Sequence, residues 1–137
     1  MNKLFDLLKL LYCIRFFAKD IHYSAKGEDF YGEHLFADRI FDGLDGFIDD
    51  INENLYLGFE EEAPKSKNVL GAVFDALPDS GSDIHEDWVL LYDMITQALE
   101  LIYKIEEEYQ VPQINAVLDG IADDLQKKKG LIWRRLK

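Results

Sequence analysis

Cysteine, proline and positive charge are all scarce in this chain, and each shortage removes a class of protein. The one cysteine, Cys13, can form no disulfide within the chain, so a cystine-stapled secreted framework is excluded and a reducing cytoplasm is the compartment that fits. Its apolar neighbours mark it as a small buried hydrophobe. The three prolines, Pro64, Pro78 and Pro112, leave long stretches free for helices. Lys and Arg number 15 against 27 Asp and Glu, a formal charge of −12. Such a surface attracts cations and repels phosphate backbones, so binding to DNA is expected to be weak at most. A membrane span is excluded as well. Residues 1–17 are apolar, but Asp6, Lys9 and Arg15 interrupt them, and no small-residue cleavage site follows.

What is present is hydrophobic periodicity. At 137 residues and 48% hydrophobic content, residues 1–137 form one globular domain with one core. Four helices are expected. The first runs over about Lys3 to Ser24, with Leu4, Leu8, Leu11, Ala18 and His22 on one face, and Gly27 makes the turn after it. The second runs from Asp29, as N-cap, to Leu57, closed by Gly58, on a stripe of Ala37, Ile40, Leu44, Ile48, Ile51 and Leu55. The third covers Ile84 to Tyr109, started by Asp83 with Glu86, and the fourth begins at Pro112. The basic end of the fourth complements its own negative helix terminus. Between the second and third lies a long connection holding a short helix at 68–77 (NVLGAVFDAL). Short turns within each pair and a long crossover between pairs give the connectivity of a ferritin-like four-helix bundle, an all-α fold.

Beside the apolar stripe of the second helix runs a row of polar residues: His34, Asp38, Asp45, Asp49 and Glu53. With His22 they form the pattern H-x11-H-x3-D-x10-D-x3-E, made of His22, His34, Asp38, Asp49 and Glu53. His34 and Asp38 stand one turn apart on one face, and so do Asp49 and Glu53. Asp38 and Asp49, however, are separated by about 16 Å along a helix axis. Metal ligands lie about 2 Å from their ion, so one chain cannot bring both pairs to one ion. A second chain packed antiparallel across a two-fold axis can, and creates two equivalent sites. Imidazole and carboxylate together suit Fe(II), Mn(II) or Zn(II). Asp42, Asp45 and Asp50 are further carboxylates nearby. His85 has no partner in the pattern and reads as a surface or capping residue.

Position for position, the pattern resembles the ferroxidase signature of the Dps family (DNA-binding protein from starved cells). The run HYSAKGEDF from His22 to Phe30, the short helix in the crossover and Ile132-Trp133 near the end are similar to the family as well. The chain departs from it at Tyr23, where the family usually has tryptophan, and shows no basic tail before the first helix. The resemblance implies His22, His34 and Asp38 from one subunit meeting Asp49 and Glu53 from another. It implies Fe(II) oxidised by peroxide or oxygen, and ferric iron stored in a hollow homo-oligomer, a dodecamer built from two-fold dimers. A non-catalytic bundle of the same family, serving as a scaffold or binding a partner, is the competing expectation.

Overall fold

The computed structural model describes residues 2–81 and 83–137. Among the described residues, six α-helices follow one another: α1 (Asn2–Ser24), α2 (Phe30–Phe41), α3 (Leu44–Asp50), α4 (Ser66–Ala76), α5 (Ile84–Glu108) and α6 (Pro112–Leu136). A π-helical segment (Ile51–Tyr56) and a 3-10 turn (Leu57–Phe59) extend α3. Four rods result: α1, the broken rod of α2 and α3 with its π segment, α5, and α6. Leu11, Ile14, Phe17, Ile40, Ile51, Trp88, Ile95, Leu118 and Ile121 interlock between them, each fully shielded from solvent. Removing that much apolar surface from water is the main drive for the fold.

The termini follow local chemistry. Asp83 accepts the His85 backbone N–H at 3.1 Å and so caps α5, leaving His85 exposed. Pro112 opens α6, where a missing N–H costs nothing. Gly27 turns the chain between α1 and α2 with φ 84°. The short helix of the crossover, α4, packs Val69 and Val73 toward α1 and leaves Leu70 and Phe74 exposed.

The second rod departs from the continuous helix that its periodicity predicts. At Asp42 the backbone swings to φ −61°, ψ 135°, and Gly43 takes the left-handed region at φ 83° before Leu44 restarts the helix. The apolar stripe survives the break: Ile40 and Leu44 are both fully buried on either side of it. Asp29 precedes α2 without a side-chain cap bond. Nor does Gly58 close the rod. Glu60 adopts the left-handed conformation, and Glu61 N–H reaches the Tyr56 carbonyl at 2.9 Å. Gly58 instead lets the chain pass close to the Glu53 carbonyl, which a Cβ would meet at 3.4 Å.

Candidate metal centre

His22 stands in the last turn of α1 and His34 in the second turn of α2, and the Gly27 turn brings them face to face. Their rings stack with centroids 3.6 Å apart and planes within 14° of parallel. Each ring also reaches across to the other residue's backbone: His22 Nδ1 to the His34 carbonyl and His34 Nδ1 to the His22 carbonyl, both at 2.6 Å. A carbonyl only accepts, so both Nδ1 atoms carry hydrogen and donate. In a neutral imidazole of this tautomer the lone pair sits on Nε2. A metal-binding histidine is set up the same way, with its second nitrogen tied to a carbonyl that fixes the tautomer and the ring orientation. Phe41 meets the His22 ring edge-on at 5.4 Å, and Phe30 stacks on His34 at 4.9 Å, so both rings are held by packing as well.

The stack also limits what the pair can hold. An imidazole lone pair lies in the ring plane. An ion about 2 Å from both Nε2 atoms would sit between the two planes and off both axes. As stacked, the two rings do not aim both lone pairs at one ion.

The carboxylates are placed differently. Asp38 lies one turn beyond His34 on α2, Asp49 lies on α3 and Glu53 within the π segment, and all three are exposed. A turn wound i→i+5 holds more residues than an α-turn, so the four-residue step from Asp49 to Glu53 comes nearer to a full revolution. Asp45 is committed elsewhere, to an ion pair in which Arg15 Nε lies 2.7 Å from Asp45 Oδ1. Among the described residues, no group of three or more His, Cys, Asp or Glu side chains within one chain is arranged to hold a metal ion. The fold therefore brings the two histidines together and leaves Asp38, Asp49 and Glu53 facing outward.

The contacts around the centre escape a reading by spacing. Glu33, next to His34, accepts from Arg135 Nε at 2.9 Å and Arg135 Nη2 at 2.6 Å on one oxygen, and from Trp88 Nε1 at 2.6 Å on the other. Phe36 stacks on that indole at 4.7 Å. The start of α2 is thereby tied to both α5 and α6. The basic end of α6 is accordingly more than a complement to its own dipole: Arg135 reaches Glu33, and Lys128, 4% exposed, donates to the Asp42 carbonyl at 2.6 Å. Lys137 lies over the half-exposed Trp133 ring. No signal at helical spacing marks the Glu33 and Lys128 contacts, because each joins residues more than fifty positions apart.

No helix among the described residues is long and apolar enough to cross a membrane. Neither a family model nor a curated protein matches the chain by sequence. By structure it is similar to the Dps protein of Vibrio cholerae O1, described as a member of a broad superfamily of ferritin-like diiron-carboxylate proteins. The TM-score is 0.68 at 19% identity, over 99% of this chain and 87% of that one. The likeness establishes a ferritin-like helical bundle.

Proposed function

We propose that this chain is a Dps-like ferroxidase and iron-storage protein whose centre is shared between two subunits. His22, His34 and Asp38 of one copy face Asp49 and Glu53 of a second, across a two-fold axis. Fe(II) is the substrate, peroxide or oxygen the oxidant, and the ferric product is held inside a hollow oligomer of such dimers, a dodecamer. The cytoplasm is the expected place of work.

The observation that carries this reading is the histidine pair, with both Nδ1 atoms locked to carbonyls and the lone pairs on Nε2. The imidazoles are oriented before any metal arrives, so little ordering remains to oppose binding. Exposed carboxylates at Asp38, Asp49 and Glu53 supply the negative oxygen ligands that a second copy would bring opposite. The likeness to a diiron-carboxylate protein favours iron over Mn(II) or Zn(II). The net charge of −12 draws cations toward such a particle and leaves DNA a weak, salt-sensitive partner.

Anaerobic Fe(II) titration followed by peroxide tests the proposal. Saturable binding and rapid oxidation are expected in the wild type, with both lost in His34→Ala and in Glu53→Ala. Mixing the two inactive variants under exchanging conditions should restore part of the activity, since a mixed dimer contains one intact centre. A wild type that binds no Fe(II) saturably overturns the reading and leaves a scaffold or partner-binding bundle.

A further inference from the structure

The break in the second rod lies between the two halves of the proposed centre. His34 and Asp38 precede it on α2; Asp49 and Glu53 follow it on α3 and the π segment. Its angle sets where one pair stands relative to the other. In a dimer closed by a two-fold axis the same angle enters twice, once from each chain, so an error in it displaces both centres.

Two long-range contacts hold this elbow. From α6, the Lys128 ammonium donates to the carbonyl of Asp42, the residue that turns the chain outward, at 2.6 Å, and pairs with Asp124 at 2.7 Å. From α1, Arg15 pairs with Asp45 in the first turn of α3. Lysine is almost never fully buried unless paired, because removing its charge from water is costly. A lysine only 4% exposed, and aimed at one backbone carbonyl, therefore carries a positional constraint. Gly43 alone would not supply it. Nothing lies within 4 Å of where its Cβ would be, so packing at that residue does not define the angle.

We infer that Lys128 is a positioning residue for the shared metal centre: its ammonium latches the elbow at Asp42–Gly43 and so fixes the separation between the histidine half and the carboxylate half. The inference rests on the metal reading above. It adds that the bend is as much a part of the centre as its ligands.

Calorimetric titration of the full chain with Zn(II), which needs no oxidant, tests it alongside amide hydrogen exchange at residues 43–47. Lys128→Met keeps the length of the side chain and removes the charge. It is expected to retain helix content and cooperative melting, to speed exchange across the elbow, and to bind Zn(II) at least tenfold more weakly. A folded Lys128→Met that binds Zn(II) as tightly as the wild type overturns the positioning role and leaves the proposed function standing. If Lys128→Met does not fold, Lys128→Gln, uncharged and shorter, is read in its place, with the same expectation and the same overturning result. A wild type that binds no Zn(II) overturns the metal reading, and the positioning role falls with it.

Discussion

At the scale of single residues, two carboxyls held close together reveal themselves through proton linkage. Glu106 on α5 and Asp119 on α6 meet carboxyl to carboxyl. Their mutual hydrogen bond, then burial, then the charge of Asp119 push the Glu106 carboxyl up to about 7. Its Oε1 is closed off from solvent without a hydrogen-bond partner. The folded state holds this proton more tightly than the unfolded chain, whose glutamate titrates near 4.5. The stabilisation is therefore complete below about pH 4.5 and is lost as pH rises through about 7. Glu106→Gln keeps the donor and removes the titration. Urea unfolding at about pH 5 and about pH 8 should show a smaller loss of stability with rising pH in the variant than in the wild type. The Glu33 contacts tie separate helices together instead. One carboxylate accepts from a buried indole and from a guanidinium, so two donors on different helices depend on it.

At the scale of elements, the ends of α5 and α6 were legible because Asp83 and Pro112 are local signals. The second rod was not. Its stripe of Ala37, Ile40, Leu44, Ile48, Ile51 and Leu55 keeps helical spacing through the elbow, so periodicity alone reads one helix. The Asp42-Gly43 pair is a turn signal that the stripe outweighs. Its decisive partner, Lys128, lies 86 residues away. The same holds at the metal centre. Sequence placed His22 and His34 across the first turn, but the crossed bonds to each other's carbonyls depend on how α1 and α2 dock. The outward stance of Asp38, Asp49 and Glu53 follows from that docking too. Because Gly43 has φ 83° and open space around it, Gly43→Ala should cost only the left-handed backbone penalty, about 1–2 kcal/mol. Chemical denaturation measures that loss. A loss far above it would mean that the added methyl meets something, contrary to the packing described.

At the scale of the whole molecule, storage of a mineral requires an enclosed space, which one bundle or one dimer does not provide. Native mass measurement should find a closed oligomer, with twelve copies expected. A bare dimer could still oxidise Fe(II) but would have nowhere to keep the product. The chain also carries its own optical gauges for following such assembly. Trp88 is sealed in the core against Phe36 and Glu33, whereas Trp133 stands half in solvent beneath Lys137. Iodide in solution should darken the emission of the outer indole and leave the inner one bright until the bundle melts. One fluorescence trace would then separate events on the outside of the protein from the loss of its interior.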